Sequence, residues 1–407
     1  MAPWTPSGYG QQTELFTKRL RAAGHDVALS CLYGLEGNIR EIDGFKCYPT
    51  DITRYGKHLL KLYAKDHGGG DSDEVQVITL QDVWTWISTN ARAGGIMADF
   101  DGLRLASWVP IDHDPAPPLV LEALDRYKVT PIAMSRFGEQ QLRDHGFDPL
   151  YVPHGVDTSI YRPHDDPRQL KEAMGLDPDV FVVGMVAANM QQNPPRKAFP
   201  QVFQAFAQFH AQHPDSFLYV HCETLGMFEG INLPHLAAAC GIPAGAFGGV
   251  AQDKYLVGTI TQEQMAGIYS IMDVLANPSY GEGFGIPIIE AQACGVPVIV
   301  TDWTSMPELC GAGWKVIGDR WWDSFHTSFF MCPSVYEIVD ALEQAYEARG
   351  DTALRERARE FAVGYDADRV MLDYWIPALA RLEAPREVGP LPNRAMKRRA
   401  AKKKVAA

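Results

Sequence analysis

The chain has 407 residues, 46% of them hydrophobic and 21% charged, a soluble globular composition long enough for two domains that each bury a core. No apolar run approaches the roughly 20 residues of a membrane span, and the start lacks the basic and apolar blocks of a signal peptide, so the expected compartment is the cytoplasm, with peripheral membrane contact as the alternative. The formal net charge is −13, yet from Ala384 onward eight Lys or Arg face one Glu; the strongly acidic body this leaves argues against a general polyanion-binding groove.

Residues 1–10 read Met-Ala-Pro-Trp-Thr-Pro-Ser-Gly-Tyr-Gly and lead into a helix expected over 11–23, ended by Gly24. A doubly wound α/β domain places a strand before such a glycine loop. None is present, so Ser7-Gly8-Tyr9-Gly10 is only a weak phosphate-loop signal. Strands are then expected over 26–32, 75–80, 105–111, 131–135 and 150–153, and helices over 55–66, 119–127 and 138–145. This alternation makes one Rossmann-like domain. Asp71-Ser72-Asp73-Glu74 matches an Asp-x-Asp metal pattern but precedes a strand rather than following one, and reads as a solvated loop. The seven cysteines are scattered without a C-x-x-C pair, so neither a disulfide framework nor a zinc site is expected. A turn-rich hinge follows, His154-Gly155-Val156-Asp157 and then Tyr161-Arg162-Pro163.

The second half opens with a buried strand at 180–188. After it Phe199, Val202, Phe203, Phe206 and Phe209 recur at helical spacing, which makes them core. The connecting residues include Asn189, Met190, Gln191 and Gln192 and end in Arg196-Lys197. Two cations at a helix start suit a diphosphate, Arg as a bidentate fork and Lys as a point charge. A strand at 217–221 and helices at 236–240, 262–272 (capped by Thr261), 335–348 and 367–382 complete the pattern, and from residue 391 the chain has too little apolar content to pack.

The most informative stretch is 277–302, which parses as loop, helix, turn and strand. The loop 280–285 carries three glycines and is expected to expose its amides. Pro287 suits a first helical turn and Gly295 a left-handed C′ position, so the helix runs over 286–294, with a buried parallel strand at 296–300. A glycine loop feeding a helix N-terminus is an anion site. Glu282 and Glu290 flank it, and carboxylates accept hydrogen bonds from vicinal hydroxyls. Together these features suit a ligand that is anionic in the middle and polyhydroxylated at both ends, such as a nucleotide-diphosphate sugar.

This stretch resembles the donor-binding motif of the retaining GT-B glycosyltransferases, most closely family 4 (glycosyl transferases group 1), whose two glutamates are separated by seven residues. The resemblance implies two Rossmann-like domains facing across a cleft: an acceptor-side domain at 1–158, a donor domain at 159–362, a helix at 363–383 crossing back to the first domain, and a basic tail at 384–407. The family usually begins with an apolar strand upstream of residues 7–10, so a start codon assigned late, or a trimmed chain, is expected.

By resemblance Glu290 holds the ribose diol, Glu282 with the amides of Gly283, Phe284 and Gly285 holds the sugar and distal phosphate, and Gly8 and Gly10 belong to a loop closing over the donor. Lys197 matches the family's lysine, with Arg196 standing in for an arginine that the family places earlier. His113, oriented by Asp112 at a strand end, is expected to face the sugar, and Asp82 and Trp84 to line the acceptor side. The reaction implied is metal-independent and retaining, with no cofactor beyond the nucleotide-sugar donor. The acceptor is open among glycan, lipid, protein and nucleic acid, and the tail offers contact with an acidic partner. Base readout is expected near 248–254. A nucleotide-sugar 2-epimerase and a non-catalytic nucleotide-sugar binder are the rival readings.

Overall fold

The computed structural model describes residues 2–5, 7–50, 56–72, 74–87, 97–190 and 193–384. The start of the helix expected at 55–66, Asp73, Gln191, Gln192 and the tail from 385 onward lie outside the described residues.

In the first lobe, α1 (Gly8–Ala22) is followed by β1 (Ala28–Ser30), β2 (Arg40–Ile42), β3 (Phe45–Tyr48), α2 (Leu60–His67) and β4 (Gln76–Leu80). Then come β5 (Arg104–Val109), α3 (Pro118–Arg126), β6 (Thr130–Ala133), α4 (Arg136–Asp144) and β7 (Leu150–Tyr151). The strands β4-β5-β6-β7 form one parallel sheet, and β1-β3-β2 a separate small one. Helix α1 begins three residues earlier than its spacing suggested, because Ser7 Oγ accepts from the Gly10 amide and caps it.

The second lobe begins with α5 (Pro167–Ala173), β8 (Phe181–Val186), α6 (Phe199–Gln212), β9 (Ser216–His221), α7 (Leu233–Cys240), β10 (Phe247–Gly249) and α8 (Gln252–Val257). It continues with α9 (Gln262–Ser270), β11 (Val274–Ala276), α10 (Ile286–Ala293), β12 (Val298–Thr301), α11 (Met306–Leu309) and β13 (Gly313–Val316). The hairpin β14 (Gly318–Asp323) and β15 (Ser328–Pro333) and the helices α12 (Val335–Glu347) and α13 (Thr352–Val363) complete it. Its sheet runs β10-β9-β8-β11-β12-β13, all parallel. The order reverses between β8 and β11, and that switch point is where ligands lie in open α/β sheets. Phe199, Val202, Phe203, Phe206 and Phe209 are all buried against this sheet.

The chain then returns to the first lobe through α14 (Ala367–Val370), a π-turn at Met371–Trp375 and α15 (Ile376–Glu383). The single helix expected at 367–382 is interrupted because Pro377 has no amide for the normal ladder. Trp375 packs on Phe16 and Trp108, and Arg104 donates to the Leu382 carbonyl at 2.8 Å. One apolar cluster, from Phe16 and Trp108 to Phe284 and Ile288, spans both lobes. No described helix is long and apolar enough to cross a membrane.

Candidate active site

The site is assembled from the loops after β8 and β11, both at the switch point. Asn277 locks the two strand ends together: its Nδ2 donates to the Val186 carbonyl (2.7 Å) and its Oδ1 accepts from the Val186 amide (3.2 Å). The loop between β11 and α10 is fixed from beneath by Ser305, whose hydroxyl lies within hydrogen-bond reach of the carbonyls of Glu282 (2.8 Å) and Phe284 (2.6 Å) and shares its one proton between them. Gly285 takes φ +121°, a conformation reserved for glycine, to start α10 without a side-chain cap.

The loop glycines do more than free their amides. A Cβ on Gly283 would lie 2.4 Å from Pro110 Cβ, and one on Gly281 would lie 2.1 Å from the Asp112 carbonyl, so these residues are small because the first lobe closes on them. Gly283 and Phe284, whose amides were expected to be open, are buried in this closed arrangement, and Gly285 is half-buried. Phe284 is core: its ring meets those of His154 and Tyr365 edge-on.

The Glu282 carboxylate is held by two cations of its own lobe. Lys197 Nζ donates to its Oε1, and Arg196 Nη1 lies 3.3 Å from its Oε2 while donating to the Gly281 carbonyl at 2.7 Å. Burial pushes the Glu282 carboxyl up, but Lys197 and Arg196 outweigh it and hold the group below the usual range. Lys197 is lowered, first by burial and then by Arg196 beside it. Ala198, at φ +59°, turns the chain from this pair into α6.

Glu290 is buried on α10 and faces α1 of the other lobe. Gln11 Nε2 donates to its Oε1 (2.6 Å) and the Tyr269 hydroxyl to its Oε2 (2.7 Å); Gln11 also reaches the Tyr161 hydroxyl at 3.3 Å. Burial raises this carboxyl above its ordinary range. Gly8 and Gly10 are residues of the first turn of α1 rather than a loop. The Gly10 amide is spent on Ser7, whereas Gly8 is exposed and its Cβ would sit 3.1 Å from Ile286 at the start of α10.

The first lobe contributes Asp82, just after β4, and Asp112 and His113, after β5. Asp82 reaches solvent yet is walled in by protein; burial and Asp112 push its carboxyl up to about 6. His113 departs from its expected role. Its Nδ1 lies 2.7 Å from Asp112 and its Nε2 3.2 Å from Asp323, its ring stacks on Phe330 at 3.7 Å, and it is buried, so neither nitrogen is open to a sugar. Trp84 packs edge-on against Phe325 of the second lobe, a contact between lobes and not an open acceptor wall.

Sequence reasoning missed Gln11, Tyr161 and Tyr269, which hold Glu290, and Tyr9, whose hydroxyl lies in the field of Asp82, Asp112, Arg196 and Glu282. It also missed Asp323 and His326 on the β14–β15 hairpin. The paired aromatic runs Trp321-Trp322 and Phe329-Phe330 flanking a short polar turn were the available signal. Among the described residues, His113, Asp323 and His326 form a group able to hold a metal ion.

Residues 181–347 match the family model described as Glycosyl transferases group 1. A D-inositol 3-phosphate glycosyltransferase of Rhodococcus opacus (strain B4) is 33% identical over 167 residues, which are 40% of this chain and 35% of that protein, so the match spans only about a third of the relative's length. Sucrose-phosphate synthase from Thermosynechococcus elongatus superposes with a TM-score of 0.63 at 18% identity, covering 91% of each chain. Anabaena HepE in complex with UDP and glucose gives 0.50 at 19% identity, covering 64% of this chain and 66% of its own. At such identities the likeness establishes the fold, which is GT-B.

Proposed function

We infer that this chain, whose residues 181–347 belong to the glycosyl transferases group 1 family, transfers a sugar with retention from a nucleoside-diphosphate sugar held between its lobes. The observation that carries this reading is the placement of Glu282 and Glu290. Glu282 lies in the loop before α10 and Glu290 in the second half of that helix, on the connection that follows β11 at the switch point; Glu290 meets Gln11 of the opposite lobe, and Glu282 meets the cations Arg196 and Lys197 of its own. The complex of HepE with UDP and glucose supports a donor of this class.

In this reading the ribose diol replaces the Gln11 amide on Glu290, and the diphosphate draws Lys197 and Arg196 away from Glu282, freeing that carboxylate for the sugar hydroxyls. A departing diphosphate and an oxocarbenium-like sugar need fixed charge more than covalent help. Arg196 and Lys197 supply it without a metal at the phosphates. The leaving phosphate takes the acceptor proton on the same face, which retains configuration.

Incubation with UDP-, GDP- and ADP-linked hexoses, followed by NMR of the anomeric proton, tests this. Free nucleoside diphosphate together with a released or transferred sugar of the donor's configuration supports it. No turnover of any donor, or an epimerised sugar still joined to its nucleotide, overturns it.

A further inference from the structure

We propose that His113, Asp323 and His326 bind one divalent transition-metal ion of the zinc class, and that the ion staples the two lobes together. His113 follows β5 of the first lobe, whereas Asp323 and His326 come from the β14–β15 hairpin of the second. The three donor atoms lie within 4.8 Å of one another; Asp323 Oδ2 is 3.2 Å from His113 Nε2 and 2.6 Å from His326 Nδ1. Ligands about 2.0–2.1 Å from a tetrahedral zinc stand about 3.4 Å apart, so small side-chain shifts seat an ion.

The surroundings are those of a metal site as well as its ligands. Metal-bound histidines commonly give their other ring N–H to a carboxylate, and His113 Nδ1 meets Asp112 at 2.7 Å, which turns the Nε2 lone pair toward Asp323. Asp323 is itself oriented, its Oδ1 accepting from the Phe325 amide at 2.9 Å. The ligands sit among aromatic rings: Phe330 stacks on His113 at 3.7 Å, and Phe325 and Trp84 flank His326 at 4.7 and 5.8 Å. Two imidazoles and one carboxylate favour zinc, cobalt or nickel over magnesium or calcium and leave a coordination position for water or a ligand.

The same hairpin already touches the first lobe, the Asp114 amide donating to the Phe329 carbonyl at 3.2 Å and Ser328 to the Pro115 carbonyl. An ion here therefore closes an existing seam. It uses different residues from Arg196 and Lys197, and the inference stands whether or not the transfer reading does.

The test is cobalt titration of the full chain after EDTA treatment. One equivalent of Co²⁺ is expected to bind with the visible absorption of a four- or five-coordinate site, to be displaced by one equivalent of Zn²⁺, and to raise the melting temperature as a native-state ligand does. His326→Gln and Asp323→Asn, checked by circular dichroism in EDTA to be folded, are expected to weaken binding at least about 10-fold, the least that loss of even an outer partner of a metal ligand costs. If one variant fails to fold, the other carries the comparison. Absence of stoichiometric cobalt binding, or binding unchanged in a folded variant, overturns the proposal.

Discussion

Gln11 and Glu290 lie on opposite lobes and share a hydrogen bond of 2.6 Å, the amide of one donating to the carboxylate of the other. Tyr269 occupies the second carboxylate oxygen at 2.7 Å. Each oxygen of the carboxylate proposed to grip a ribose thus already carries a protein donor, and in this reading a nucleotide enters by displacing Gln11.

If so, Gln11 competes with the ligand. A hydrogen bond to a charged group contributes about 1.5–3 kcal/mol, so Gln11→Ala should tighten nucleoside diphosphate binding by roughly tenfold. Calorimetric titration reads this. Weaker binding would make Gln11 a ligand contact instead.

The packing of Gly283 on Pro110 predicts a conformational variant. With a would-be Cβ 2.4 Å from Pro110 Cβ, Gly283→Ala should part the lobes while each keeps its fold. Small-angle scattering should report a larger radius of gyration, and transfer should fall by about 100-fold, as misplacement of reacting groups on the ångström scale does. An unchanged radius with full activity would show that the closed seam is dispensable.

Lys197 separates binding from chemistry. Donating to Glu282 in the resting arrangement and to the leaving diphosphate in the reaction, it should matter most in the transition state. Lys197→Ala should lower kcat by about 10²–10³-fold and leave donor KM within a few-fold. A rise in KM at constant kcat would assign it to ground-state binding.

Asp82 makes a pH prediction. Its carboxyl is pushed up to about 6 by burial and by Asp112, whereas an unfolded aspartate titrates near about 3.9. Between these values the unfolded chain loses its proton first, so the native state holds more protons and stability falls as pH rises through this window. Asp82→Asn should therefore melt higher than the parent at pH 7.5, and the difference should vanish at and below pH ~4. The side chain still reaches solvent, so a gap of no more than about 2 °C is expected. A gap independent of pH would refute the assignment.

The strands and helices with strong periodicity were readable from sequence, as were the residues at the switch point. The spacing of Glu282 and Glu290 and the Arg196-Lys197 pair need only local pattern. What could not be read depends on contacts between distant segments. Gln11 and Glu290 are far apart in sequence, and nothing in either neighbourhood announces the bond. The glycines at 281 and 283 look like amide-exposing loop residues until Pro110 and Asp112 arrive against them. His113 looks free at a strand end because its second partner, Asp323, comes from a hairpin in the other lobe. Short strands such as β10, β11 and β13, of three or four residues, carry too little pattern to stand out.

If Glu282 and Glu290, either side of the first turn of α10, grip an activated sugar, equilibrium binding of UDP, GDP and ADP to the parent and to Glu290→Ala reads it most directly. At least one of the three is expected to bind the parent, and the variant to lose at least about tenfold in affinity, the worth of one charge-assisted hydrogen-bonded contact. Binding of none, or binding indifferent to the loss of Glu290, would contradict it.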